Sequence, residues 1–244
     1  MDISFIIPAH DEAVLIGGTI RAIHESVRRQ GMVCEVVVAA DGCTDATESI
    51  AAALGAKVVA HERRSIAATR NLGARAASGD LLVFVDADTQ MTPGAFSEML
   101  AAIESGAIGG GGPARFDGRV PLYARAMLAL LLIGFRCMRL TGGAFLFCTR
   151  EAFDAAGGWD ETFYAGEEIL MARRLKKQGR FVIVREPVVT SGRKFRTHSS
   201  REILGVLVRG AFMPWIMKDR SRLEFFYGPR RVDGGEGKEM GNGE

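Results

Sequence analysis

Apolar residues in the first hundred positions fall into short continuous runs, separated by stretches whose apolar residues recur at helical spacing. Ile3–Ile7 reads as a strand stopped by Pro8, and Glu12–Arg29 as a helix carrying Ile16, Ile20, Ile23 and Val27 on one stripe. Glu35–Ala40 is a second strand, closed by an Asp41-Gly42 turn. Asp45-Ala46-Thr47-Glu48 has capping-box spacing for a helix reaching Leu54. Lys57–Ala60 is a short third strand, and an Ala-rich helix follows over Ser65–Ser78. Leu81–Val85 is a five-residue apolar run that suits a strand buried on both faces. Thr92-Pro93 caps a helix with Phe96, Met99, Leu100 and Ile103 on its inner face. Strand and helix thus alternate four times, the pattern of a parallel, doubly wound α/β sheet.

The second half is less regular. Ala107–Phe116 contains the run Gly109 to Gly112 and reads as a strand with close backbone approach. Pro121–Leu140 is helical in pattern, with Arg125, Arg136 and Arg139 among Met and Leu. Gly143–Thr149 reads as a strand and Glu151–Ala156 as a short helix ended by Gly157. Glu167–Gln178 reads as a helix with Lys176-Lys177 in its last turn and Gly179 after it. Arg180–Val184 is a strand and Ser199–Met213 a helix, and the Gly/Glu-rich stretch after Val232 has a disordered composition.

Composition adds little until charge is mapped along the chain. Net charge is only +2, yet residues 180–231 hold 12 Lys/Arg against 4 Asp/Glu. A basic segment of that kind suits phosphates or an anionic membrane surface. Cys34, Cys43, Cys137 and Cys148 form no Cys-x-x-Cys pair and have no His at metal-ligand spacing, which fits a reducing cytosol. The chain opens directly into a strand, read as absence of a signal peptide. Ala126–Phe135, the longest apolar stretch, is about half of what a spanning helix needs. The expectation is a cytoplasmic protein, at most peripheral at the inner face of the membrane.

Chemistry concentrates where Leu81–Val85 runs into Asp86-Ala87-Asp88. Carboxylates two residues apart at a strand end project the same way, and ligands bind at the carboxyl ends of parallel strands. Adjacent carboxylates repel unless positive charge lies beside them. A divalent cation carrying a phosphate-bearing ligand accounts for both acids. Glycine-rich dinucleotide and P-loop motifs are absent: the first strand ends in Pro8-Ala9-His10-Asp11-Glu12, and Gly109–Gly112 leads to Pro113 rather than Lys. Glu12, Asp41, Arg70 and the Asp86/Asp88 pair instead mark the successive strand-end segments.

The strings IIPAHDE, DGCTDAT, ATRNLGARAASGDLLVFVDADT and GGWDETFYAGEEILMARRLKKQG, in this order over about residues 3–190, resemble the motif series of family two glycosyltransferases. The resemblance implies a GT-A fold: a Rossmann-like, mostly parallel sheet flanked by helices, here with a helical C-terminal extension. It implies a glycosyltransferase domain over 1–198, with a nucleotide-sugar half to about 106 and an acceptor half beyond. A basic helical extension over 199–231 and a tail over 232–244 would follow. By resemblance, Pro8, Ala9, His10 and Glu12 form the first nucleotide-binding loop, although His10-Asp11 stands where the family most often has an aromatic followed by Asn. Asp41 matches the acid on the base, Arg70 the basic residue facing the nucleotide, and Asp86 with Ala87 the ribose side. Asp88 matches the ligand of Mn2+ or Mg2+, with Asp86 and His198 as further candidates.

Glu168 occupies the general-base position of the acidic pair, and Glu167 is its alternative. Gly142, Gly143, Ala144 and Trp159 lie near the acceptor pocket, and Arg193 and Lys194 are candidates for the diphosphate. The implied activity is inverting transfer of a sugar from a nucleoside diphosphate sugar to a hydroxyl acceptor, lipid-linked or glycan among the options, with no nucleic-acid partner. Two readings compete: a sugar nucleotidyltransferase, which lacks its expected Gly-rich basic loop here, and a catalytically silent sugar-nucleotide or membrane-surface binder.

Overall fold

The computed structural model describes residues 1–118, 143–197, 202, 218, 219 and 223. Its centre is a seven-stranded sheet. Four parallel strands form one side: β1 (Ile3–Ala9), β2 (Glu35–Asp41), β3 (Lys57–His61) and β4 (Leu81–Val85), in the order β3-β2-β1-β4. β8 (Phe145–Thr149) continues the sheet beside β4 and runs antiparallel to it. β6 (Gly109–Gly111) and β9 (Phe181–Ile183) complete the far edge. One reversed strand interrupts an otherwise parallel sheet, as the alternating first half and irregular second half anticipate.

Side-chain alternation along β1 splits the core into two layers. Phe5 and Ile7 face α1 (Ile16–Arg28), α2 (Thr47–Ala53) and α4 (Pro93–Glu104). Ile6 faces α3 (Ile66–Ala76), α5 (Arg150–Ala155) and α6 (Glu167–Gln178). The stripe read from the sequence is the buried one: Ile16, Ile20, Ile23 and Val27 are each 2% exposed or less. Thr92 caps α4 by accepting from Ala95 N at 3.2 Å, with Pro93 in the first turn.

Several boundaries differ from the sequence expectation. α1 begins at Ile16 rather than Glu12, because Asp11 takes φ 49° and Glu12 N is spent on Thr47 Oγ1 at 2.8 Å. The capping-box spacing at Asp45 does not make a capping box. Asp45 Oδ1 accepts from both N and Oγ1 of Thr47, and Oδ2 accepts from Ala13 N at 3.0 Å, which ties α2 to the β1–α1 loop. The Ala107–Phe116 segment is two strands of different sheets, parted at Gly112-Pro113. β7 (Ala114–Phe116) joins β10 (Val188–Thr190) and β5 (Thr89–Gln90) in a second, three-stranded sheet. At two or three residues each, these strands carry too short a pattern for periodicity to reveal.

Close approach does explain the glycine run. A Cβ on Gly110 would stand 2.2 Å from Val182 O and 2.5 Å from the Phe147 ring, so β6 fits between β8 and β9 only without side chains. Among the described residues no helix is long and apolar enough to cross a membrane. The Pro121–Leu140 segment, the Ser199–Met213 helix and the tail lie outside the described residues.

Candidate active site

Arg70 organises the carboxyl edge of the sheet. It sits in the second turn of α3, 1% exposed, in one of the least accessible positions in the molecule. Nη1 donates to Glu167 Oε1 at 2.6 Å, while Nη2 donates to Asp86 Oδ1 at 2.9 Å and to Gly143 O at 3.0 Å. Its guanidinium carbon lies 4.6 Å from the Trp159 ring centroid, a cation–π contact. Burial opposes the charge of Arg70, but Asp86, Glu167 and Glu168 outweigh it and hold the guanidinium above its ordinary pKa. Arg70 is therefore not a surface group. It is the counter-ion that lets β4 and α6 bring their acids together.

Glu167 is consumed by that pair and is 4% exposed. Glu168 is half-buried, and its carboxyl group lies against Gly143, whose added Cβ would be 3.7 Å from the Glu168 carboxyl carbon. Burial, with the negative charge of Glu167, raises the Glu168 carboxyl to about 8, against the opposing pull of Arg70. Of the two acids, Glu168 is the one without a hydrogen bond to the guanidinium, and its carboxyl holds a proton until the pH approaches about 8.

The Asp86-Ala87-Asp88 turn is fastened from several sides. Asp86 N donates to Ala144 O at 3.4 Å, and Thr19 Oγ1 donates to the buried Ala87 O at 2.8 Å. Ser191 N donates to Asp88 O at 3.0 Å, and Thr190 Oγ1 to Asp88 Oδ1 at 3.3 Å. The small sheet thus carries α7 (Arg193–Thr197) to the same edge. There Arg193 Nη2 donates to both carboxylate oxygens of buried Glu12, at 2.9 and 3.1 Å. The sequence reading gave Glu12 to the nucleotide and Arg193 to the diphosphate. The structure pairs them across 181 positions.

Asp41 is likewise engaged. Oδ1 accepts from Arg64 N at 2.7 Å, and Oδ2 from Ser65 N at 2.8 Å and Thr69 Oγ1 at 3.0 Å. Its carboxylate anchors the start of α3, the helix that presents Arg70 one residue after Thr69. His10 Nδ1 lies 2.7 Å from Asp41 O, and Pro8 and Ala9 are buried backbone beside Ala39 and Ala40. His10 also meets Asp11, with Nε2 to Oδ2 at 3.3 Å, and the guanidinium of Arg64.

The structure thus joins Asp86, Arg70, Glu167, Glu168, Gly143, Ala144 and Trp159 in one cluster, and Glu12 with Arg193 and His10 with Asp41 on the same edge of the sheet. Gly142, His198 and the side chain of Lys194 lie outside what is described. Asn71 carries a function that the sequence reading left unassigned. Its Oδ1 accepts from Trp159 N at 2.9 Å and its Nδ2 donates to Trp159 O at 2.9 Å, fixing the ring under Arg70. Its adjacency to Arg70 was the available signal. Cys43 has no His at ligand spacing in sequence, but the fold brings ligand atoms of His10, Asp11 and Cys43 within 4.8 Å of one another.

Comparison with known proteins agrees with this geometry. The profile of "Glycosyl transferase family 2" matches residues 4–186. A glucosyl-3-phosphoglycerate synthase of Mycolicibacterium paratuberculosis is 33% identical over 184 residues, 61% of this chain and 53% of that protein, so the chain spans about half the length of this relative. A glucosyl-3-phosphoglycerate synthase structure from Mycobacterium tuberculosis, in complex with Mn2+, UDP-Glc and phosphoglyceric acid, superposes with TM-score 0.58. It is 24% identical and is matched over 89% of this chain and 79% of its own. A mannosyltransferase from Pyrobaculum calidifontis in complex with GDP-Man and Mn2+ gives TM-score 0.63 at 19% identity, over 86% and 60% of the two chains. These neighbours establish the GT-A fold. With the profile covering most of the chain and its motif residues gathered on one sheet edge, the chain belongs to glycosyl transferase family 2.

Proposed function

We propose that this protein transfers a sugar from a nucleoside diphosphate sugar to a hydroxyl acceptor, with inversion and with Glu168 as general base. The observation that carries the reading is the meeting of Asp86 and Glu167 on one guanidinium, that of Arg70, with Glu168 close enough to act on its charge. Residues some 80 positions apart in sequence would not be assembled around a buried charge, at the end of the central strand, for packing alone. A half-buried glutamate beside the backbone of Gly143 can take a proton from a bound hydroxyl once it is ionised, and its raised pKa makes that ionised form, populated as the pH approaches about 8, the stronger base. As the hydroxyl oxygen attacks the anomeric carbon, its proton passes to a Glu168 oxygen. The bond to the diphosphate breaks on the opposite face, and the nucleoside diphosphate leaves with the electron pair.

Asp86 and Asp88 offer the hard oxygen donors that Mn2+ or Mg2+ selects, and His198 is a further candidate. Among the described residues these two acids are not part of any three-ligand cluster, so diphosphate oxygens would complete the coordination. When bound, the cation supplies positive charge for the leaving diphosphate. Arg193 neutralises Glu12 at the nucleotide loop, and Asp41 sets the entrance of α3 beneath the base. The UDP-Glc, GDP-Man and phosphoglyceric acid bound by the structural neighbours make UDP- and GDP-sugars the first donors to test, and a phosphorylated hydroxy acid the first acceptor. Contact of residues 180–231 with an anionic membrane is a separate reading, supported by their charge alone.

The test is a thermal-shift panel of UDP-, GDP- and dTDP-sugars with and without Mn2+, because a ligand bound only to the folded state raises stability by mass action. A metal-dependent shift with one base class is expected. No shift with any donor at millimolar concentration would remove the donor reading.

A further inference from the structure

The β1–α1 and β2–α2 loops bring together three side chains of different chemistry, His10, Asp11 and Cys43, with every pair of ligand atoms within 4.8 Å. His10 Nε2 and Asp11 Oδ2 are 3.3 Å apart. Zinc bonds of about 2.0–2.3 Å place tetrahedral ligands about 3.3–3.8 Å from one another, so the cluster needs only small rotations to close on an ion. We propose that His10, Asp11 and Cys43 form a second metal site, distinct from Asp86/Asp88, that takes a soft, zinc-class divalent cation.

Three features support the assignment. The first is the tautomer of His10. Its Nδ1 lies 2.7 Å from Asp41 O, and in the tautomer that donates to this carbonyl Nε2 is the acceptor nitrogen and meets both Asp11 and the Arg64 guanidinium. A ring nitrogen fixed on a backbone carbonyl is the usual support of a ligating imidazole. The second is the position of Asp11, whose Oδ1 is held by Thr44 N at 2.7 Å while Oδ2 turns to His10. Asp11 holds this position at a φ of 49°. The third is the charge of the locality. A cationic group already stands at this position, since the Arg64 guanidinium contacts the His10 ring. A divalent ion would displace Arg64 and take the thiolate, releasing the thiol proton to solvent. Sulfur and imidazole ligands select zinc-class ions over Mn2+ or Mg2+.

Cobalt(II) titrated into the full chain, without nucleotide, is the test, because thiolate–cobalt bonding is read optically and independently of transfer activity. The expected result is a near-ultraviolet sulfur-to-metal charge-transfer band saturating at one equivalent, bleached by Zn2+ but not by Mg2+. Cys43→Ser should abolish the band, and Cys34→Ser and Cys137→Ser should keep it. Arg64→Gln should tighten cobalt binding, since it removes the competing guanidinium but keeps the backbone bond to Asp41. Folding of each variant is checked by far-ultraviolet circular dichroism. Absence of the band in the wild type, its survival in folded Cys43→Ser, or weaker binding by Arg64→Gln would each overturn the proposal. Failure of the donor panel with the cobalt band intact would count against the transferase reading only.

Discussion

Replacing Arg70 by Met tests the central ion pair. The change removes the charge and keeps much of the side-chain volume over Trp159. Arg70 and Glu167 are 1% and 4% exposed, which places them in the regime where loss of one partner costs about 3–5 kcal/mol, because the other charge stays buried. The Asp86 side chain is 30% exposed, so its share is discounted to about 1 kcal/mol or less. A total near 4 kcal/mol corresponds, at about 2–4 °C per kcal/mol for a chain of this size, to a drop of roughly 8–16 °C in Tm. Urea and thermal denaturation at pH 8 measure both quantities. Arg70→Met/Glu167→Met should be more stable than the single variant, since it also removes the most deeply buried of the acids left without a counter-ion. A single variant that loses less than about 1 kcal/mol, or a double variant no better than the single, would refute the counter-ion account.

Three further outcomes follow from the same geometry. Gly110→Ala should destabilise by about 1–3 kcal/mol or more, because its Cβ would meet Val182 O at 2.2 Å, and urea titration reads the loss. Asp41→Ala strips the acceptor from two backbone N–H groups and the Thr69 hydroxyl, so a loss of about 1–3 kcal/mol is expected even without any nucleotide; an unchanged urea midpoint would contradict it. Glu168 is raised from 4.5 to about 8 on folding, so the folded state binds the extra proton between these values and stability falls as pH rises through that window. Glu168→Gln should flatten that decline, and a pH profile parallel to the wild type would show that the acid titrates normally.

Much of the first hundred residues was legible from the sequence because its strands are continuous apolar runs and its helices carry long stripes. Leu81–Val85 and Ile16–Val27 announce themselves by burial on two faces and on one. β5, β7 and β10 do not, being two or three residues long, and they matter because they deliver Arg193 to the site. The motif residues were recognisable as candidates, but their partners were not. Nothing in local spacing says that Arg193 neutralises Glu12, or that Asp41 spends its oxygens on the start of α3. Arg70 shows the limit most clearly: a helix arginine reads the same whether it faces solvent or three carboxylates. The distinction between Glu167 and Glu168 is a matter of which one the guanidinium takes.

The central claim is that Glu168 accepts the acceptor's proton. Once the donor panel has identified a sugar nucleotide, nucleoside diphosphate release is measured for wild type and Glu168→Gln, beside donor affinity by calorimetry. Before an acceptor is known, the same comparison uses slow donor hydrolysis. Loss of a general base costs about 10²- to 10⁴-fold in rate while donor binding is spared, and that combination is the expected result. A Gln variant that binds donor normally and keeps more than about a tenth of the wild-type rate would contradict the assignment of Glu168.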